Sequence, residues 1–138
     1  MMKRLLFAIT LFFLLPLLSC AVLTGSRNIS TADSFFKKKQ YSNAAATYRK
    51  MLQEHPDSFY AADARYGLAV TLASFDNAQK DYTQALHEFE IFYKLYPNDR
   101  RVPEVQNWIA VLRTLNDLSR SIEQLKRLDI RHEERRRK

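Results

Sequence analysis

The stretch QYSNAAATYRKMLQEHP, residues 40–56, is matched without gaps by DYTQALHEFEIFYKLYP, residues 81–97. The two stretches lie 41 residues apart, from position 40 to position 81, and the same kinds of residue recur at the same places. Such self-similarity indicates a repeated structural unit. The aligned pairs are Ala44 with Ala85, Tyr48 with Phe89 and Pro56 with Pro97.

Each copy has a small residue, an aromatic residue four positions later and then a proline. Because residues i and i+4 share a helix face, the small residue lets a neighbouring backbone approach while the ring fills the space one turn on. The proline ends the helix, since it lacks an N–H and clashes with the preceding turn. With only two glycines and four prolines in 138 residues, the chain is predicted to be all-α, with short connections.

This spacing resembles the A-x3-F-x7-P signature in the second helix of the tetratricopeptide repeat, and the resemblance covers roughly residues 31–111. It implies a short solenoid of helical hairpins whose concave face binds partner segments and is lined by the first helix of each repeat. That family has a period of about 34 residues, so about seven extra residues are expected in one connection. Asp76 to Lys80 are the expected place.

The apolar pattern predicts five helices, the last of which is long and caps the solenoid. Pro56-Asp57-Ser58 and Pro97-Asn98-Asp99 are expected to supply capping side chains for the helices that follow them. The predicted helices cover about 30–39, 41–55, 58–75, 81–96 and 102–133.

The last predicted helix carries apolar residues at alternating spacings of three and four, which form a narrow seam. One interpretation is that the first half of this seam packs on the two helices of the second repeat. The other is that a projecting half pairs with itself or with a partner helix. The seam consists of Trp108, Val111, Leu115, Leu118, Ile122 and Leu125.

The N-terminus has the pattern of an export signal. Met1 to Arg4 carry two positive charges and Leu5 to Leu18 carry none. The apolar run is shorter than the roughly 20 residues that a helix needs to cross a bilayer. Leu17-Leu18-Ser19-Cys20 resembles the lipobox of bacterial lipoprotein precursors. That resemblance implies cleavage between Ser19 and Cys20, lipid on the Cys20 thiol, and anchoring by several acyl chains.

An ordinary secretory signal with a nearby cysteine is the alternative, but an exported protein with a single thiol needs a reason for it. One cysteine allows neither an internal disulfide nor a cysteine-based zinc site. In Gram-negative lipoproteins an aspartate after the cysteine marks inner-membrane retention, so Ala21 implies the outer membrane, facing the periplasm. The expected divisions are a signal peptide at 1–19, a tether at 20–30, repeats at 31–111, and a C-terminal helix with a basic tail at 102–138.

No pattern of residues indicates an enzyme, a metal, a cofactor or a small-molecule substrate. The three histidines, His55, His87 and His132, are far apart in sequence. His87-Glu88 begins like a zinc-protease motif, but Ile91 occupies the place of the second histidine. Gly67 lies inside a helical pattern, where close packing rather than a phosphate loop explains it.

Two basic runs, Lys37 to Lys39 and Arg131 to Lys138, contribute to a net charge of +7. Basic runs can bind nucleic acid, but an exported lipoprotein is not expected to meet it. Lipid headgroups and acidic protein surfaces are better candidates, with Arg135, Arg136 and Arg137 as possible contacts. The alternative is a solvated helix end whose charge complements the helix dipole.

FYAADARYGLAV, residues 59–70, and the segment 81–112 resemble paired helices of BamD-like outer-membrane assembly lipoproteins, in a shortened form. That family escorts β-barrel precursors, so the resemblance implies a lipid-anchored periplasmic scaffold whose partners are envelope proteins. The alternative function is regulation of an envelope sensor kinase, because the ending LKRLDIRHEERRRK, residues 125–138, resembles small lipoproteins of that kind.

Overall fold

The computed structural model describes residues 27–137, and every regular element in that range is an α-helix. The predicted all-α fold is confirmed. The expected signal peptide, including Ser19, lies outside the described residues, as do Cys20 and the first part of the expected tether. The helices are α1 at 27–37, α2 at Tyr41–Glu54, α3 at Ala61–Ala73, α4 at Tyr82–Leu95 and α5 at Val102–Arg136.

Consecutive helices pack on one another to form a short solenoid of helical hairpins. The first hairpin is α1 with α2, the second is α3 with α4, and α5 lies against α4. Helix α1 joins the core through the fully buried Ala32, with Phe35 and Phe36 packed beside it. The long C-terminal helix thus covers the end of the second hairpin, as expected for a cap.

The repeated residues lie in the hydrophobic core. Ala44 and Ala85 are both completely buried, so each lets a neighbouring helix approach closely. The aromatic residues one turn later are also buried, with Tyr48 at 3% exposure and Phe89 at 0%. Equivalent positions of the two copies therefore have equivalent places in the core.

Helix α1 ends two residues earlier than predicted, at residue 37, and it already includes residues 27–30 of the expected tether. Lys39 has a positive φ of 58°, a conformation in which glycine is more usual. The Gln40 N–H donates to the Phe35 carbonyl and the Lys39 N–H to the Phe36 carbonyl, each at 2.9 Å. These paired bonds form a Schellman motif, which closes the helix and turns the chain into α2.

Helix α3 begins at Ala61 rather than at the predicted Ser58, and its N-cap Tyr60 makes no side-chain cap. The backbone forms two successive turns first, because the Ser58 N–H donates to the His55 carbonyl and the Ala61 N–H to the Ser58 carbonyl. The expected cap by Ser58 is therefore wrong. After Pro97, Asp99 accepts instead from the backbone N–H of Arg101, the N-cap residue of α5, at 2.9 Å.

The extra residues lie where expected, in the connection 74–81 between α3 and α4. Asn77 is 4% exposed, and its Nδ2 donates to the Thr71 carbonyl at 2.9 Å. Asp76 accepts from Lys39 Nζ at 2.8 Å and from the Tyr41 hydroxyl at 2.7 Å. The connection is thus bonded to the turn between α1 and α2.

Helix α5 packs on α4 through Val105, Ile109 and Leu112. Trp108 stacks on Phe89, with ring centroids 5.7 Å apart and planes 7° apart. The interpretation that the predicted seam packs on the second repeat is wrong beyond Trp108, because the later seam residues are exposed. Contact with α4 needs a stripe centred on Val105 and Leu112, and the seam lies roughly a third of a turn round the helix from it.

Candidate partner-binding groove

A groove of about 320 Å³ lies between α1 and α3. These are the first helices of the two hairpins, the pair that the sequence predicts to line the concave face. Most of its lining comes from these two helices, with one residue each from α2 and from the N-cap of α5. The lining residues are Ile29, Asp33 and Phe36 of α1, Tyr48 of α2, Asp63, Tyr66, Gly67 and Val70 of α3, and Arg101.

Tyr48 and Gly67 meet in this groove because the glycine lacks a side chain. A Cβ on Gly67 would overlap the Tyr48 ring, coming within 2.7 Å of Cε1 and 2.8 Å of the hydroxyl oxygen. The hydroxyl donates to Asp33 Oδ1 at 2.5 Å. Burial, and then this bond, raise the pKa of Tyr48 far above its ordinary value. The phenol therefore stays neutral and joins α1, α2 and α3 at one point.

Arg101 holds one end of the groove together. Its Nη1 lies 2.8 Å from Asp63 Oδ1, at the start of α3. Its Nε and Nη2 donate to the two carboxylate oxygens of Asp99 at 2.9 and 2.7 Å. These bonds keep the pKa of Asp99 low, at about 2, and raise the pKa of Arg101. The guanidinium thus ties α3 to the turn between α4 and α5 through a bidentate pair.

The same guanidinium lies over two aromatic rings, 5.0 Å from the centroid of Tyr66 and 5.1 Å from that of Phe92. The Tyr66 hydroxyl donates to Glu104 Oε1 at 2.6 Å. Burial, followed by this bond, raises the pKa of Tyr66 to about 12. Cation–π contact and the hydrogen bond both fix the Tyr66 side chain against the start of α5.

The groove combines an apolar wall with an acidic rim. Ile29, Phe36 and Val70 supply apolar surface. The Asp63 side chain is 44% exposed despite its contact with Arg101, and Asp33 is also exposed. A second hollow of about 440 Å³ continues the groove along α1, and its further lining residues are Ser30, Ser34, Lys37 and Tyr60.

The polar side chains around the groove are mostly engaged within the chain itself. Among the polar side chains that line the groove, partners hold those of Asp33, Tyr48, Asp63, Tyr66 and Arg101. Within residues 27–137, no group of three or more His, Cys, Asp or Glu residues could hold a metal ion. The same residues include no helix long and apolar enough to cross a membrane.

The remaining predicted positions lie away from the groove. Pro56 follows His55, the C-cap residue of α2, and Pro97 follows Tyr96, the C-cap residue of α4. Arg135, Arg136 and Arg137 are exposed at the end of α5, where Arg137 lies 3.8 Å from Glu133.

Sequence reasoning singled out Tyr48 and Gly67 as packing residues but missed three other residues that shape the groove, namely Asp33, Tyr66 and Arg101. Asp33 and Tyr66 stand in helical patterns like many other polar and aromatic residues, and nothing local distinguishes them. The sequence contains one weak indication of an ion pair at Arg101, because Asp99 lies two positions before it in the turn after Pro97. Its bond to Asp63 joins residues 38 positions apart (63 to 101), which no spacing rule anticipates.

The family described as "YfiO: Outer membrane lipoprotein" matches residues 26–136. This range includes all five helices and every residue of the groove. Neither the curated proteins nor the solved structures gave a match to the chain.

Proposed function

Since the chain belongs to the YfiO family of outer membrane lipoproteins, we propose that it is a lipid-anchored periplasmic scaffold for envelope assembly. It binds protein partners in the groove between α1 and α3. The observation that carries this proposal is the groove itself, which has apolar walls, an acidic rim and side chains already fixed by internal bonds.

The chemistry of the groove defines the partner segment. An apolar side chain of the segment covers Ile29, Phe36 and Val70, where removal from water contributes about 25 cal/mol per Å² of apolar surface. Its backbone N–H groups or a basic side chain face the carboxylates of Asp33 and Asp63. The segment is therefore amphipathic, with apolar side chains next to hydrogen-bond donors.

Arg101 prepares the groove before a partner arrives. Its bonds to Asp63 and Asp99 fix the distance between α3 and the start of α5. A binding surface that is already ordered loses less conformational entropy on association. The bonds of Arg101 thus support affinity by keeping the groove ordered.

The lipid belongs on Cys20, in line with the lipobox and with the family of outer membrane lipoproteins. Cys20 and Arg27, where the described helices begin, are seven positions apart. Even a fully extended chain of that length spans only about 25 Å. The groove consequently works close to the bilayer surface and meets envelope proteins there.

Site-specific photocrosslinking in cells tests this function. The photoreactive amino acid replaces Ser30, which is exposed beside the groove. As a matched control it replaces Thr83, which is exposed on α4 and lines no part of the groove. Cys20→Ala serves as the control for anchoring, and crosslinked proteins are identified by mass spectrometry.

The expected result is that barrel-assembly or other envelope-assembly proteins crosslink at position 30 and not at position 83. Equal crosslinking at both positions would show that the groove is not the binding surface. If the periplasmic domain of a sensor kinase crosslinked at position 30, the result would contradict the scaffold function and support regulation of that kinase.

A further inference from the structure

The outer two thirds of α5 expose an apolar stripe that nothing covers within residues 27–137. We propose that this stripe pairs with the same stripe of a second copy of the chain, as an antiparallel two-helix coiled coil. The inference is independent of the function proposed for the groove. The stripe is the part of the seam that follows Trp108. Its residues are between 39% and 65% exposed, and they are Val111, Leu115, Leu118, Ile122 and Leu125.

The seam and the face that contacts α4 are different sides of the same helix. Val105, Ile109 and Leu112 are buried against α4. Beyond Leu112 no large apolar residue of α5 is buried among the described residues, and from Asp117 to Arg137 every residue is exposed. Most of the stability of a helix in a protein comes from packing of its apolar face, and this segment of about six turns has no such packing within residues 27–137. Pairing along the seam supplies the contacts that this segment lacks.

The spacing of the seam indicates that its binding partner is another helix. Its residues follow a repeat of three and four positions, the heptad pattern that keeps two helices in contact as they supercoil. One heptad position of the seam holds Leu115 and Ile122, and the other holds Val111, Leu118 and Leu125, so both are apolar throughout. Thr114, Ser119 and Ser121 flank the middle of the seam with small side chains, so a second helix can approach closely.

The seam is complementary to itself in one antiparallel register. When the two-fold axis passes between Asn116 and Asp117, every seam residue meets an apolar residue of the second copy. The next register, one heptad further, places Val111 against Asp129 and thereby buries a carboxylate without a partner. In the favoured register Leu115 faces Leu118, Val111 faces Ile122, and Trp108 faces Leu125 of the second copy.

Charge favours the antiparallel arrangement over the parallel one. Between Lys126 and Arg137 the chain has six lysines and arginines but only three acidic residues. A parallel pair would bring the two basic tails together and would place Asp129 next to its own copy. The antiparallel pair separates the tails to opposite ends, which removes this repulsion.

The test measures association of the chain from residue 20 onward, with serine at position 20, which retains every described residue. Analytical ultracentrifugation compares this protein with Ile122→Glu and with Gln124→Glu, which adds the same charge outside the seam. We expect a dimer for the parent and for Gln124→Glu. Dimerisation of Ile122→Glu is expected to weaken by about 100-fold or more.

Because Ile122 is already 44% exposed, its substitution leaves the packing on α4 intact, and protection of the amides of α2 to α4 from hydrogen exchange checks that it does. A parent protein that remains monomeric at about 100 μM, a concentration at which specific interfaces associate, would overturn the proposal. Equal dimerisation of both variants would overturn it as well.

A spin label on cysteine at position 134 then reports the orientation. With a rise of 1.5 Å per residue, two labels lie roughly 50 Å apart in the antiparallel pair. In a parallel pair they lie within roughly 25 Å, since packed helix axes are about 10 Å apart and the labels add the rest. The longer distance is expected, and the shorter one contradicts the antiparallel pairing.

Discussion

The ring of Tyr48 lies directly over the backbone of Gly67, in the space that any other residue would fill with its Cβ. Tyr48 comes from the first hairpin and Gly67 from the second, so their contact sets how closely the hairpins stack. The hydroxyl of the same ring donates to Asp33. The geometry of the groove therefore depends on one glycine that lies beneath it.

Gly67→Ala is expected to destabilise the fold, although alanine favours a helix over glycine by about 1 kcal/mol. The added methyl group overlaps the ring of Tyr48, and such overpacking costs about 1–3 kcal/mol. Urea unfolding of the single variants and of the Gly67→Ala, Tyr48→Leu double variant separates the two effects. In the Tyr48→Leu background the alanine is expected to be neutral or stabilising, so strictly additive effects would contradict the packing argument.

Ala44→Leu and Ala85→Leu are each expected to lower the free energy of unfolding by about 1–3 kcal/mol, because both sites are completely buried between helices. Ala46→Leu is the matched control, since Ala46 lies on the same helix as Ala44 but is exposed. Thermal unfolding followed by circular dichroism measures the difference. If both buried-site variants melted like Ala46→Leu, the aligned repeats would not be packing positions.

The ion pair of Asp99 with Arg101 is expected to make stability depend on pH in the acid range. The pKa of Asp99 is about 2 in the folded protein, below the ordinary value of about 4. Its contribution is therefore complete above about pH 4 and is lost as the pH falls through about 2. We expect Asp99→Asn to cost on the order of 1–2 kcal/mol at neutral pH, with a smaller difference from the parent near pH 2.

Urea titrations between pH 2 and about pH 6, the span over which an ordinary carboxyl changes charge, measure this difference. Asp57→Asn is the control, because Asp57 is exposed in the turn before α3. If the difference in free energy of unfolding between the parent and Asp99→Asn stayed constant across this range, the carboxylate would contribute through its shape and not through its charge.

Cys20→Ala is expected to block maturation and to release the protein from the membrane, because the acyl chains attach to this thiol. Each buried methylene contributes about 0.8 kcal/mol to anchoring, so loss of all chains removes the anchor. Immunoblots of membrane and soluble fractions, with metabolic labelling by a fatty acid, provide the measurement. Normal processing and membrane retention of the variant would contradict lipid attachment at position 20.

The helices could be predicted from sequence because their signals are local. Ala44 and Tyr48 in the first copy, and Ala85 and Phe89 in the second, indicate the buried face of a helix. Pro56 and Pro97 indicate where each helix ends. The repeat period predicted the number of extra residues, and the polar run Asp76 to Lys80 predicted their place before α4. The first residues of α3 were misplaced because the turns after Pro56 use backbone bonds, which leave no pattern in the side chains.

The sequence by itself thus determined the all-α class, the paired hairpins and the long last helix, since residues three or four positions apart meet on a helix whatever lies beyond it. Only the tertiary structure decided that Arg101 reaches Asp63, that Tyr48 lies over Gly67, and that α5 turns Leu112 rather than Leu115 toward α4. The physical reason is that these contacts depend on how each helix is rotated about its axis. That rotation is set by the summed packing of all neighbours and not by any one spacing.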